Sequence, residues 1–198
     1  MKHAVILAHP RHGSFCHSVA TACVDALQGL GQSADLRDLY AMNFDPRLQA
    51  QEIASDAGHT PGADVVAERK RLSEADSFIF VYPFWFNAPP AILKGYVDRV
   101  FSLKFGYAPG FGGTEPLLGG RTLLSFSSSG APDHWVNSTG ALQSLMAVFD
   151  SHLAGVTGLR VIDHQHFGGI VSNMQPEAVD DRLDQVRARL VSAFPRGR

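Results

Sequence analysis

Short apolar runs rich in β-branched and aromatic residues recur along the chain. Between them lie stretches in which apolar positions repeat every three to four residues. The runs predict strands at residues 3–8, 33–36, 78–82, 122–126 and 159–162. The intervening periodicity predicts helices at 15–30, 63–74, 90–103 and 140–156, with a last one at 177–194. In that last helix Val179, Leu183, Val186, Leu190 and Phe194 form one apolar stripe. Strand and helix alternating from end to end predict an α/β fold: a parallel sheet with helices on both faces. With five strands and five helices, the expected arrangement is a doubly wound sheet of strand order 2-1-3-4-5. In that arrangement ligands bind at the carboxyl ends of the strands flanking the switch point. One domain spanning 1–198 accounts for the pattern; two irregular segments, 40–62 and 104–120, are long enough to be functional.

Composition narrows the classes. The chain is 45% hydrophobic and 18% charged, with a formal net charge of -2 and no block of one sign, so no nucleic-acid partner is expected. No apolar run approaches membrane-spanning length, so no integral membrane segment is expected. The run after Met1-Lys2-His3 is too short for a secretory signal, so the expected location is cytoplasmic. Cys16 and Cys23 fall in one predicted helix, where seven positions separate their Cα atoms by about 10 Å, beyond disulfide reach. Free thiols are expected, as suits a reducing compartment.

Chemistry concentrates where three predicted strands end. The third runs through Pro83 into Phe84-Trp85-Phe86-Asn87-Ala88 and then Pro89-Pro90, which opens the next helix. An aromatic loop of this kind offers flat faces and backbone donors to a heteroaromatic ligand, although a plain core cluster has the same composition. The first strand leads through His9, Ser14, Phe15 and Cys16 into a helix whose amino terminus is a ready anion site, with Ser14 either a hydroxyl donor or a simple cap. Neither a dinucleotide glycine fingerprint nor a phosphate-loop motif is present. The fourth strand ends in Ser127-Ser128-Ser129-Gly130, a third small-residue loop beside the other two.

These segments resemble the NAD(P)H:quinone oxidoreductase family of flavodoxin-like flavoproteins. The likeness rests on Ala8-His9 with Ser14-Phe15, on Asp38-Leu39-Tyr40-Ala41-Met42-Asn43-Phe44-Asp45-Pro46, on Pro83 through Pro90-Ala91-Ile92-Leu93-Lys94-Gly95, on Asp98-Arg99-Val100-Phe101, and on Leu123-Leu124-Ser125 with its Ser/Gly loop. It implies a flavodoxin-like, flavin-dependent NAD(P)H dehydrogenase that reduces quinones, and also nitro or azo compounds, by two-electron ping-pong hydride transfer. The implied cofactor is FAD, with FMN the alternative, and NADH or NADPH is the hydride donor. A homodimer is implied, in which each subunit helps enclose two flavin sites. By position, His9, Ser14, Phe15 and Cys16 would hold the pyrophosphate; Cys16 stands where Asn is frequent. Pro83, Phe84, Trp85, Phe86 and Asn87 would line the ring, and Ser127, Ser128, Ser129 and Gly130 its pyrimidine edge. Trp135 and Ala141 replace the Tyr and His found beside the flavin in the animal enzymes. Trp135 and Gly130 are thus the catalytic-site candidates, and Tyr107, on a loop the family sends toward the partner's pocket, joins Trp135 as a substrate-binding candidate.

Among the nine histidines, His164 and His166 would share one face if the last strand reached them, but no third ligand stands at matching spacing and no metal site is expected. The rival reading within the same fold is a flavin-binding ancillary subunit of a potassium-efflux system. An electron carrier would call for an acidic docking face, which 19 acidic against 17 basic residues do not favour.

Overall fold

A computed structural model describes residues 1–54 and 58–196. The chain runs β1 (Lys2–Leu7), α1 (Phe15–Gly29), β2 (Ser33–Asp38), α2 (Ala63–Leu72), β3 (Ser77–Pro83) and α3 (Ala91–Val100). A short hairpin comes next, β4 (Tyr107–Gly110) and β5 (Gly113–Pro116), then β6 (Thr122–Ser128), α4 (Asp133–Ser138) and α5 (Ala141–Leu145). A π-helical turn over Met146–Ser151 leads to α6 (His152–Thr157), β7 (Arg160–Phe167) and α7 (Pro176–Ala193). The main sheet has the order β2-β1-β3-β6-β7 with every pair parallel, which is the doubly wound order expected from the sequence.

Strand alternation divides the core between the two faces of this sheet. Ile6, Phe78, Phe80 and Tyr82 pack on one side with Leu93, Tyr96 and Phe149 from the helices beyond. Val5, Leu7, Ile79 and Val81 pack on the other with Leu27 of α1 and Val186 and Leu190 of α7. Every residue of β3 and β6 is buried, as central parallel strands require. Each large apolar side chain taken fully out of water there contributes about 1.5–3 kcal/mol.

The long segment between β2 and α2 is anchored through Arg99 of α3, whose guanidinium is buried between Glu52 and Asp64 and stacks 5.2 Å over the Phe44 ring. Residues 55–57 of the predicted irregular segment lie outside the described residues. Gly95 permits this anchoring: a Cβ there would lie 2.1 Å from the Pro46 carbonyl oxygen, so α3 and the segment touch backbone to backbone.

Two expectations change. The helix predicted at 140–156 is divided by the π turn and preceded by α4, with Gly140 in the left-handed region (φ 72°) at the junction. The segment 104–120, expected to be irregular, contains the β4–β5 hairpin; its Pro109, Gly110, Gly113 and Pro116 are residues that strand propensity disfavours.

Candidate functional site

The three loops predicted to carry chemistry meet at the carboxyl ends of β1, β3 and β6. One cavity of about 360 Å³ is lined from β1 and α1 by His9, Arg11, Ser14, Phe15 and Cys16, and on its far side by Pro83, Trp85, Ser128, Ser129 and Gly130. A second, about 380 Å³, adjoins it across Ser129 and Gly130 and is walled by Phe84, Phe86, Asn87 and Trp135. A third, about 310 Å³, continues from the first past Arg11 and Phe15 to Ser18, Val171, Met174 and Val179.

The aromatic shelf is a tight turn. Trp85 and Ala88 exchange two backbone hydrogen bonds at 3.0 and 3.1 Å, and the intervening Phe86 and Asn87 have φ of 49° and 57°. Two successive residues in the left-handed region make a type I′ geometry, costly for a bulky residue such as Phe86. The turn also turns the Phe86 ring fully outward, while Phe84 stays buried with its ring 5.6 Å from that of His166. Phe86 and Trp135 leave exposed aromatic surface at the second cavity, and Trp85 does so at the first.

At the first cavity, His9 Nδ1 accepts the backbone N–H of Arg11 at 3.0 Å. In the neutral ring Nε2 therefore carries the hydrogen, and partial burial favours neutrality by pushing the His9 pKa down. Ser14 is the N-cap of α1, its oxygen accepting the His17 N–H at 3.4 Å. His17 Nε2 faces Asp38 Oδ2 at 3.2 Å, so Nδ1 is left to accept the Ser14 hydroxyl hydrogen at 3.0 Å. That hydrogen is therefore committed within the protein, and Ser14 acts here as a cap rather than as a free donor. The amino-terminal amides of α1, His9 and the Arg11 guanidinium remain to meet an anion. Cys16 Sγ lies 3.3 Å from Ser128 Oγ, and burial raises its pKa to about 11. Both cysteines are free and buried.

The Ser/Gly loop is held by Phe167 at the end of β7 and by the backbone of Gly168, Gly169 and Ile170. Ser129 N–H donates to Phe167 O, Ile170 N–H to Ser129 O and Gly169 N–H to Ala131 O, at 2.8–3.0 Å. Asp133 accepts the Gly168 N–H at 2.6 Å, and a Cβ at Gly168 would lie 2.4 Å from the Asp133 backbone nitrogen. Ser127 lines none of these three cavities; it is buried and bonded to His164 and His166. The last strand does extend through those two histidines, and their rings share a face as its period requires. Their common partner is the Ser127 hydroxyl. Among the described residues no group of three or more His, Cys, Asp or Glu side chains is arranged to hold a metal.

Tyr107 is not brought to the strand ends within one chain. It lies at a separate groove of about 220 Å³ beside Phe101, Val148 and His152. Arg182 stacks 5.9 Å over the Phe167 ring. Arg11, Ile170 and Val136 line the cavities without a motif to mark them, since single residues in loops carry no periodicity.

A family model described as flavodoxin-like fold matches residues 1–192. An uncharacterized NAD(P)H oxidoreductase of Haemophilus influenzae is 32% identical over 193 residues, covering 97% of this chain and 93% of that one. Human ribosyldihydronicotinamide dehydrogenase [quinone] is 30% identical over 152 residues, covering 68% of this chain and 66% of the human protein. Among solved structures, the NAD(P)H:quinone oxidoreductase of Methanothermobacter marburgensis superposes with a TM-score of 0.82 at 28% identity, covering 95% of this chain and 96% of that one.

Proposed function

Because the chain belongs to the NAD(P)H:quinone oxidoreductase family of flavodoxin-like proteins, we propose that its strand-end cavities hold FAD and carry electrons from NADH or NADPH to quinones by two-electron ping-pong transfer. The observation that carries this reading is the junction of two cavities across Ser129 and Gly130, with exposed Phe86 and Trp135 at one, and exposed Trp85 facing the amino terminus of α1 at the other.

The residues present fit a flavin. His9 Nε2–H, Arg11 and the first amides of α1 would neutralise the phosphates; Pro83, Phe84, Trp85, Phe86 and Asn87 would support one side of the ring system. Ser128, Ser129 and Gly130 would meet its polar edge. When bound, the flavin supplies the two-electron chemistry, taking a hydride from the nicotinamide and returning it to the acceptor. The protein's part is to stack the reactants, exclude water and aim fixed dipoles at the charge that develops. Trp135 would form the wall of the substrate side, and Gly130 would present its backbone to the ring. The third cavity favours FAD over FMN: its apolar walls at Val171, Met174 and Val179 continue from Arg11 and would take an adenine.

A second copy of the chain is the natural cover for the exposed Phe86 and Phe111 rings, and its Tyr107 loop is the segment proposed to reach the neighbouring site. No helix among the described residues is long and apolar enough to cross a membrane, and a cytoplasmic location fits the two free thiols.

Heat release of the chromophore followed by chromatography and mass measurement tests the cofactor; FAD is expected, and FMN would overturn the role given to the third cavity. A colourless protein that fails to take up either flavin would overturn the whole reading. Light scattering of the flavin-loaded protein is expected to report a dimer, and an active monomer would remove the partner's role.

A further inference from the structure

Beneath the Ser/Gly loop runs an unbroken line of hydrogen-bonding side chains, all buried except the half-buried His166. Asp150 Oδ2 lies 2.5 Å from His164 Nδ1; His164 Nε2 lies 2.7 Å from Ser127 Oγ. Ser127 Oγ lies 2.8 Å from His166 Nδ1, and His166 Nε2 lies 2.9 Å from Ser129 Oγ. Ser129 lines both of the adjoining cavities, whereas Asp150 and His164 are buried in the core. The other Asp150 oxygen accepts the Ser125 hydroxyl at 2.8 Å. The π turn places Asp150, and π turns concentrate at functional positions.

We propose that this line, Asp150–His164–Ser127–His166–Ser129, stores one proton at its inner end and exchanges it with the ligand bound beside Ser129. The proposal rests on the flavin reading for the identity of that ligand, but the line itself belongs to the chain.

Hydrogen-bond direction supplies the argument. Ser129 Oγ donates to Ala131 O at 2.9 Å. With its one hydrogen so used, Ser129 must accept from His166 Nε2–H. His166 Nδ1 then accepts from Ser127, and Ser127 accepts from His164 Nε2–H. His164 Nδ1 faces Asp150, so that contact needs one further proton shared by the pair. If that proton is absent, every direction reverses: His164 Nδ1–H donates to Asp150, Ser127 donates to His164, His166 Nδ1–H donates to Ser127, and Ser129 donates to His166. The same heavy-atom positions serve both states.

Passing from the first state to the second delivers one proton. The Ser129 hydroxyl turns from Ala131 and gives its hydrogen to a basic ligand atom; His166 Nε2–H replaces it, Ser127 supplies His166 Nδ1, and His164 Nε2–H supplies Ser127. The shared proton stays on His164 Nδ1 as the Asp150 carboxylate's partner. The pair ends one proton poorer and the ligand one richer; no electron moves and no heavy-atom bond changes. A proton taken up from bulk solvent at Ser129, in the open cavity, reloads the line.

His166 is suited to conduct without holding charge. Burial lowers its pKa to about 4, with His164 and Arg182 acting in the same sense and Asp133 opposing. The Tyr82 ring lies 6.0 Å from that of His164, and burial pushes its hydroxyl well above its ordinary pKa, so it stays neutral. Asp163, the remaining carboxylate nearby, accepts the His164 backbone N–H. Ser127 is 1% exposed, so the Asp–His–Ser order here is not a hydrolytic nucleophile's.

The test begins without flavin. Nitrogen NMR of ¹⁵N-histidine-labelled protein between pH 5 and pH 9 should show the His164 and His166 signals changing together at one midpoint, with His166 passing from the Nε2–H to the Nδ1–H tautomer. His166 should not become doubly protonated, and Asp150→Asn should hold its tautomer constant. Independent or invariant histidines in the native chain would overturn the proposal. His166→Gln keeps hydrogen-bonding groups on both sides but cannot pass a proton. Loaded with FAD, it should keep its affinity within about twofold and slow the solvent-isotope-sensitive transfer roughly tenfold or more; an unchanged rate and isotope effect would overturn the proposal. Failure to bind flavin would sink the functional reading and leave the tautomer result standing, while bound flavin with static tautomers would sink the relay alone.

Discussion

Arg99 grips Glu52 through two parallel hydrogen bonds, Nε to Oε2 at 2.8 Å and Nη2 to Oε1 at 2.9 Å, with both side chains buried. The same guanidinium reaches Asp64 and the Asp45 carbonyl, so one residue of α3 fastens the segment between β2 and α2. Removing one member of a buried pair strands the other charge, which costs about 3–5 kcal/mol. Arg99→Met is therefore expected to lower unfolding free energy by about that amount in a urea titration. A loss below about 1 kcal/mol would show that water reaches the pair.

The same pair predicts an acid dependence. Hydrogen bonds from Arg99, then backbone donation from Gln49 and Gly62, hold the Glu52 pKa at about 2 against burial, below its ordinary 4.5. A depressed folded-state pKa means that the stabilisation is complete above about pH 4.5 and is lost as pH falls toward 2. Glu52→Gln should flatten the dependence of melting temperature on pH within that window. An unchanged slope would assign the acid sensitivity to other carboxylates.

How much of the fold and site was legible depends on the signal each part needs. The strands announce themselves through runs such as Ser77–Pro83, and the order of the sheet reflects their alternation with helices. The three loops were visible because their composition is unusual for connections. The relay was not: Ser127, Asp150 and His164 come from β6, the π turn and β7, and only their packing joins them. The alternation of His164 and His166 marked a shared face, but nothing local to it marked Ser127 as the partner. The π turn itself is silent in sequence, since Met146–Ser151 carries ordinary helical composition and differs only in hydrogen-bond register. Likewise, Ser14 reads equally as cap or donor until His17 and Asp38 are placed around it.

Those neighbours shape the third prediction. Ser14→Ala removes the cap of α1 and should cost about 1 kcal/mol of stability. Flavin affinity should fall less than in Arg11→Ala, which removes a full charge from the first cavity. Parallel melting and flavin titrations of the two variants check the order. A larger affinity loss in Ser14→Ala would mean that its hydroxyl leaves His17 when the ligand binds.

The two thiols should be inert in the folded protein. Burial raises Cys16 to about 11 despite the opposing Ser128 hydrogen bond, and it raises Cys23 further. At pH 8 a thiol of pKa 11 is ionised to about one part in a thousand. A thiol-disulfide reagent should label neither residue until urea unfolds the chain. Fast labelling of Cys16 in the native protein would show that the first cavity opens to its floor.

Trp135 stands at the rim of the second cavity, half exposed, opposite Phe86 and beside Gly130. The family resemblance sets Trp135 where a Tyr is expected in the animal enzymes, and an indole there brings aromatic area without a phenolic proton. If stacking and fixed backbone dipoles supply most of the stabilisation, the side chain acts as a wall, and its loss should appear in binding before it appears in chemistry. Trp135→Ala is then expected to raise KM for nicotinamide and quinone several-fold, in keeping with the roughly 0.5–1.5 kcal/mol of one aromatic pairing. Trp135→Tyr should leave the rate of flavin reduction within about twofold, because the proton route from Asp150 ends at Ser129 and does not pass through residue 135. Stopped-flow reduction of the bound flavin separates the two effects. A large gain in the chemical rate with Tyr would show that a phenol here relieves a proton-transfer limit that the line from Asp150 to Ser129 leaves in place.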